Sequence, residues 1–248
     1  MKFTKKYKIL FHDTDKNGFI YPSRLFVYLQ ETAHMHIASV GSSSESMHEK
    51  DGEGFWLTRI CLDMTGEIHA YDEIEVETWA SSDSRRFSFN RCFRVLKNGE
   101  VVCNAYSVWV LMRLSDMKPI SVKDWHTEIT HEDPVKPNAP IHARIPAETE
   151  LRKVGERTIL YSDIDINGHM NNTRYPNIIF DSLPTHGKLS ELTISYMHEA
   201  TEGEKLTLMC GSDADGVFYV RSLREDGNTN IEARVKMLPV EEKTYDRA

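Results

Sequence analysis

The sequence predicts an α+β chain of two tandem domains, each a long helix wrapped by a curved antiparallel β-sheet. Three observations predict it. An aspartate-rich octapeptide occurs twice, as Asp13-Thr14-Asp15-Lys16-Asn17-Gly18-Phe19-Ile20 and as Asp163-Ile164-Asp165-Ile166-Asn167-Gly168-His169-Met170, 150 positions apart. Repetition at domain spacing marks a duplicated fold. Each copy is followed by one stretch of helical period and then by strand-like stretches. Finally, 248 residues are enough for two small cores. The expected division is 1–133 for the first domain, 134–149 for a linker and 150–248 for the second domain.

In the first half, residues 3–11 read as a strand that runs into the first aspartate turn. Beyond Pro22 the period becomes helical: Leu25, Leu29, Ala33, Ile37 and Val40 recur every three or four residues and form one buried stripe that ends at Gly41. The segment from Gly41 to Gly54 is polar, rich in Ser and Glu, and reads as a loop or lid. Glu73-Ile74-Glu75-Val76-Glu77-Thr78 alternates strictly, so one face meets a core and the other water. From Arg86 to Leu96, Phe87, Phe89, Phe93 and Val95 share a face, and Lys97-Asn98-Gly99-Glu100 supplies a hairpin turn. Val101 to Leu114 is the most apolar strand and is expected to be central. Pro134, Pro137, Pro140 and Pro146 then punctuate the linker.

The second half repeats this order in shorter form. A strand at 151–161 meets the second aspartate turn. A helix near 173–183 buries Tyr175, Ile178, Ile179 and Leu183. Strands follow near 189–197, 204–213, 216–224 and 230–238, with Asp226-Gly227-Asn228 as a hairpin turn. One helix cradled in a curved antiparallel sheet is the layer arrangement of the hotdog fold, here expected twice in tandem.

Composition excludes several classes of function. With 40% hydrophobic and 27% charged residues, the chain has no apolar run long enough to cross a bilayer. Met1-Lys2-Phe3-Thr4-Lys5-Lys6-Tyr7 carries charge without a following apolar stretch, so it does not read as a signal peptide. Cys61, Cys92, Cys103 and Cys210 form no CxxC pair and read as small buried hydrophobes in a reducing compartment. A net charge of −8 argues against nucleic acid as a partner.

The aspartate motif also resembles a calcium loop, because Asp-x-Asp-x-Asn-Gly supplies the early positions of an EF-hand. That loop needs a bidentate carboxylate at its twelfth position, which here is Arg24 in one copy and Arg174 in the other. A strand-to-helix turn is the better reading, with Asp and Asn bonding nearby amides and Gly taking a conformation others avoid. In the first copy Phe19 has no acid–base chemistry and is expected to pack. In the second, His169 stands at the start of a helix beside Asp165 and Asn167, where it could orient a carbonyl or move a proton. A further carboxylate, Glu199, follows in Ser195-Tyr196-Met197-His198-Glu199-Ala200 at the end of the next strand.

At these residues the chain resembles the acyl-acyl carrier protein thioesterases of bacteria and plant plastids. Asp163 to Tyr175 is similar to the family signature Asp-x-Asn-x-His-x-Asn-Asn-x-x-Tyr. Leu29-Gln30-Glu31-Thr32-Ala33, Phe55-Trp56-Leu57-Thr58-Arg59, Glu75-Val76-Glu77-Thr78-Trp79 and Ser107-Val108-Trp109-Val110 resemble, in order, its first central helix and the strands after it. The resemblance implies catalytic roles for Asp165, Asn167, His169 and Glu199. Plant members often carry Cys after that glutamate; here the position is Ala200.

The expected activity is release of a free fatty acid from an acyl carrier protein, in fatty acid biosynthesis. No GxSxG elbow occurs, so water attacks directly, with Glu199 or Asp165 as general base. The acyl chain is expected against the first helix, near Leu25, Leu29 and Ala33, under Trp56. No cofactor or metal is expected. The expected partner is an acyl carrier protein bearing a fatty acyl phosphopantetheine thioester, and the chain is expected to be a monomer or homodimer. Because the sequence shows no plastid transit peptide, a bacterial cytoplasmic enzyme is expected. The competing readings are an acyl-coenzyme A thioesterase and a non-catalytic acyl-binding hotdog protein, which fold alone does not separate.

Overall fold

The computed structural model describes residues 2–42, 47–125, 127 and 129–240. Strand β1 (Phe3–Lys8) leads through a 3₁₀ turn (Phe11–Asp13) into the first aspartate turn and helix α1 (Pro22–Ser39). Pro22 occupies the first turn of α1, where its missing N–H costs nothing. Four strands follow: β2 (Glu53–Met64), β3 (Glu73–Ser81), β4 (Phe89–Lys97) and β5 (Glu100–Arg113), with the short β6 (Lys118–Ile120) and β7 (His131–Glu132). The β4–β5 hairpin turns on Asn98 and Gly99, both at positive φ (54° and 81°), as an Asn-Gly pair favours.

The second half runs β8 (Arg152–Thr158), a 3₁₀ turn (Tyr161–Asp163), the second aspartate turn, and helix α2 (Tyr175–Asp181). Strands β9 (Lys188–Tyr196), β10 (Lys205–Ser212), β11 (Phe218–Leu223) and β12 (Thr229–Leu238) complete it. Among the described residues a long helix is thus present in the first half only. The stretch expected to be helical from 173 opens as a 3₁₀ turn at Asn172–Arg174, and α2 itself has 7 residues against 18 in α1. Pro184 disfavours helical backbone at Leu183 and stops it there.

Two further expectations are corrected. The strand expected from Arg86 begins at Phe89, because Arg86 takes φ 52° in a tight turn in which Arg85 and Ser88 exchange backbone hydrogen bonds. The strand expected to be central, β5, lies one step from the centre. Among the described residues the strands form a single sheet, antiparallel in the order β1-β3-β4-β5-β2-β9-β12-β11-β10-β8, with the short β6 antiparallel to β5 and β7 parallel to β3. The halves join through β2 and β9, paired from Arg59↔Ser195 to Asp63↔Glu191. Side chains alternate across that seam. Ile60, Leu62, Leu192 and Ile194 enter one continuous core that also takes Leu25, Leu29, Phe93, Ile179 and Val220.

The opposite face of the seam carries the linker. Asn138 donates its N–H to Asp63, Ala143 donates to Ser195 Oγ, and Thr193 donates to the Pro140 carbonyl. Ala139 and Ala143 are buried there, so this proline-rich stretch is a fixed strap. The four cysteines are free and buried. No described helix is long and apolar enough to cross a membrane.

Candidate active site

The two aspartate turns are built alike. Asp15 Oδ1 accepts the N–H groups of Asn17 (2.8 Å) and Phe19 (3.0 Å), and Asp165 Oδ1 accepts that of Asn167 (2.8 Å). Asp15 N–H donates to the Phe19 carbonyl as Asp165 N–H donates to that of His169. Gly18 and Gly168 close the turns at φ 85° and 79°, a region costly for other residues.

The preceding aspartates are buried and anchor each turn to its half. Asp13 accepts from Leu10 N–H (2.9 Å), Tyr28 Oη (2.7 Å) and Arg24 Nε (2.6 Å). Burial pushes its carboxyl up, and these three donors together outweigh that and hold it below the usual value. Asp163 accepts from Leu160 N–H (3.0 Å), but its cation is Arg157, with Nη2 at 2.9 and 2.8 Å. Arg174, at the offset of Arg24, is exposed, so the matched spacing of the two arginines carries no shared role.

The second turn faces a carboxylate from the loop after β9, the strand that follows its helix. Met170 N–H donates to the Ala200 carbonyl (2.8 Å), pinning the loop after β9 against the turn. That contact brings Glu199 beside His169, with Oε2 at 3.0 Å from Nε2. The other carboxylate oxygen, Oε1, accepts the indole N–H of Trp56, which reaches it from β2 across the seam. Asp165 and Asn167 line the same cavity as this pair. Asp165 Oδ1 is taken up by the backbone of its own turn, among the described residues its Oδ2 has no hydrogen-bond partner, and its charge is felt by His34 on α1.

The cavity holds about 670 Å³. His169, Glu199, Asp165 and Asn167 form one wall, and Ala33, His34 and Ile37 of α1 face them from the other half. Phe55, Phe89 and Trp125 form an edge-to-face aromatic cluster in its lining, with ring centroids 5.2–5.5 Å apart.

Of the residues expected to hold an acyl chain, Ala33 and Trp56 line this cavity. Leu25 and Leu29 do not; they are 0% and 1% exposed and pack in the core. The 3.6-residue period marks a buried stripe but cannot tell which turns of it meet side chains and which meet a void. Ile37, one turn beyond Ala33 on that stripe, was available to the same reasoning. The aromatic cluster was not, since it joins residues far apart in sequence.

The lid expected at 41–54 is described in part: residues 47–51 form one π-helical turn and β2 begins at Glu53, whereas 43–46 lie outside the described residues. His36, on α1 but not in the cavity lining, is buried and stacked on Phe3, and its Nδ1 faces Nη1 of the cavity-lining Arg91 at 3.0 Å. Burial first, then the Arg91 charge, push its pKa down to about 4, so it accepts that bond as a neutral ring. Among the described residues no group of three or more His, Cys, Asp or Glu side chains is placed to hold a metal ion.

Comparison with known proteins bears on this arrangement. The sequence model of the acyl-ACP thioesterase N-terminal domain matches residues 1–130, and that of the acyl-ACP thioesterase C-terminal domain matches residues 147–237. The chain is 25% identical over 244 residues to the acyl-[acyl-carrier-protein] hydrolase FATB2, chloroplastic, of Cuphea viscosissima, covering 86% of this chain and 57% of that protein. It is 27% identical over 218 residues to the palmitoyl-acyl carrier protein thioesterase, chloroplastic, of Arabidopsis thaliana, covering 75% and 50%. It therefore spans a little over half the length of these relatives. An acyl-ACP thioesterase from Bacteroides thetaiotaomicron superposes with a TM-score of 0.84 at 23% identity, covering 94% of this chain and 96% of that one. The 12:0-ACP thioesterase from Umbellularia californica gives 0.76 at 18% identity, covering 96% and 98%. These structures share the fold: α and β mixed, a mainly antiparallel sheet with few helices. With both of its domains matched, the chain belongs to the acyl-ACP thioesterase family.

Proposed function

We propose that this chain hydrolyses the thioester between a fatty acyl group and the phosphopantetheine thiol of an acyl carrier protein. The observation that carries the reading is the His169–Glu199 pair, set at the wall of a cavity whose far side is helix and aromatic ring. The two halves act as tandem hotdog domains, 1–133 and 150–248, joined by the strap at 134–149. Asp165, Asn167, His169 and Glu199 are the catalytic residues, and Ala33, Ile37 and Phe89 bound the acyl chain.

The chemistry needs no covalent intermediate. A water oxygen bonds to the thioester carbon while its proton passes to the Glu199–His169 pair, which acts as one acceptor. The carbonyl oxygen becomes an oxyanion, received by the side-chain amide of Asn167 and neighbouring N–H groups of the turn. Collapse breaks the C–S bond, and the proton returns to the leaving thiolate. Ala200 is apolar, so no thiol at that position takes part.

Thiol release from acyl carrier protein and coenzyme A thioesters, assayed in parallel across chain lengths, tests the reading. Glu199→Gln and Asp165→Asn both keep an acceptor oxygen, so both fold. Glu199→Gln loses release on every carrier, whereas Asp165→Asn loses less if its carboxylate only shapes the turn. Tight acyl binding with no release from any carrier sinks the hydrolase reading in favour of a binding protein.

A further inference from the structure

The two halves are related residue by residue through their backbone hydrogen bonds. Ile20 N–H donates to the Ile68 carbonyl as Met170 N–H donates to that of Ala200, and Ile9 N–H to Asp72 as Ile159 N–H to Glu204. These pairs make Glu67, one residue before Ile68, the counterpart of Glu199. Lys188 lies eleven positions before Glu199, and Trp56 eleven before Glu67. Each of these two residues reaches across the β2–β9 seam to the glutamate of the opposite half: Trp56 Nε1 to Glu199 Oε1, and Lys188 Nζ to Glu67 Oε1 at 2.7 Å.

The two bridges differ in charge. Around Glu67 the donors are the Lys188 ammonium and the His69 ring, whose Nε2 is 3.1 Å from Oε2. Lys188 and then His69 hold that carboxyl below its usual value, and it serves as a member of an ion pair. Around Glu199 the cross-seam donor is a neutral indole. It fixes the carboxylate in place without setting a positive charge beside it. The backbone makes room for this ring at Gly54, where an added Cβ would stand 2.7 Å from Cζ3 and 3.3 Å from Cη2 of Trp56.

We propose that Trp56 is a positioning residue for catalysis: the first half lends a neutral N–H that orients Glu199 as the proton acceptor, and the identity of the residue at this cross-seam position decides which half's glutamate can act as a base. The inference rests on the hydrolase reading given above.

Trp56→Phe keeps a ring beside Gly54 and removes the N–H. Loss of one hydrogen bond to a charged group lowers kcat about tenfold or more, with KM within about twofold. Trp56→Lys copies the silent half: kcat falls, and the acid limb of the pH–rate profile moves to lower pH because an ammonium favours the ionised carboxylate. Gly54→Ala displaces the indole and lowers kcat in the same sense as Trp56→Phe. Lys188→Trp, in the other half, leaves the rate within about twofold. A purely structural indole would lower the Tm and leave the pH limb where it is. Wild-type kcat in Trp56→Phe, a rise in KM alone, or an unmoved pH limb in Trp56→Lys each overturns the proposal. Glu199→Gln, run alongside, separates the levels: if it retains the full rate, the hydrolase mechanism itself falls, whereas an inactive Glu199→Gln with unaffected Trp56 variants overturns this inference alone.

Discussion

The two halves share an aspartate turn, a following helix and an antiparallel sheet, yet only one of their turns carries an imidazole. Position for position, Phe19 stands opposite His169, Lys188 opposite Trp56, and 18 residues of α1 opposite 7 of α2. Each turn faces the helix of the other half. The His169 turn looks onto α1 across about 670 Å³, and the Phe19 turn looks onto Pro176 and Phe180 of α2 across about 340 Å³. On the proposed reading, the half with the long helix therefore furnishes the binding wall for the half that carries the chemistry. Retaining Asp15, Asn17 and Glu67 does not make the first half a second site. It lacks the histidine in the turn, the neutral partner for its glutamate and a cavity of comparable volume.

The sharpest way to break this comparison is to exchange the glutamates. Glu199→Gln is expected to slow thiol release by about 10²–10⁴-fold, the usual contribution of a general base, while Glu67→Gln leaves it within about twofold. Equal losses in the two variants would mean that both halves take part in turnover. Alongside it, His169→Phe makes the second turn a copy of the first and removes the other member of the proton-accepting pair, which should cost about 10²–10⁴-fold, whereas Phe19→His restores one missing part of several and yields no gain. A rate rise in Phe19→His would show that the first half lacks only its imidazole.

The remaining predictions concern stability. Asp13→Asn removes a buried carboxylate that three donors satisfy and should cost about 2 kcal/mol in urea unfolding at neutral pH. Its folded pKa is depressed below 3.8, so its contribution is present above that value and lost as pH falls through the folded pKa. The variant should flatten that acid limb. The smallest effect at neutral pH belongs to His36, the buried histidine of the first half; no described histidine is buried in the second. With its pKa moved from 6.5 down to about 4, the unfolded chain binds more protons over that window. Stability is full above pH 6.5 and falls toward pH 4. His36→Asn keeps an acceptor for Arg91 and should lessen that fall in a series of thermal melts. An unchanged slope would place the acid sensitivity elsewhere.

Much of the architecture was legible because it is local. The duplicated turn, the β4–β5 hairpin at Asn98-Gly99 and the start of α1 at Pro22 each follow from backbone preferences of a few adjacent residues. The misses came where distant parts decide. Period alone could not separate Leu25 and Leu29, which do not reach the larger cavity, from Ala33 and Ile37, which line it. The shared offset of Arg24 and Arg174 excluded a calcium loop but implied no shared role, because it is Arg157 from β8 that pairs with Asp163. Apolarity placed β5 at the centre, but the centre is β2 against β9, a pairing that depends on how the halves meet.

By itself the sequence determined a mixed α/β chain with a duplicated aspartate turn, and it singled out the copy with His169, and Glu199 beyond it, as the site proposed for the chemistry. Turn geometry, strand alternation and helical period are written in neighbouring residues, so they survive without knowledge of the whole. Only the tertiary structure decided that Trp56 and Lys188 cross the seam to opposite glutamates, that α1 walls the cavity of the other half, and that the proline-rich stretch is a strap. Those are contacts between residues 50 to 150 positions apart, and sheet pairing and packing, not local preference, bring them together.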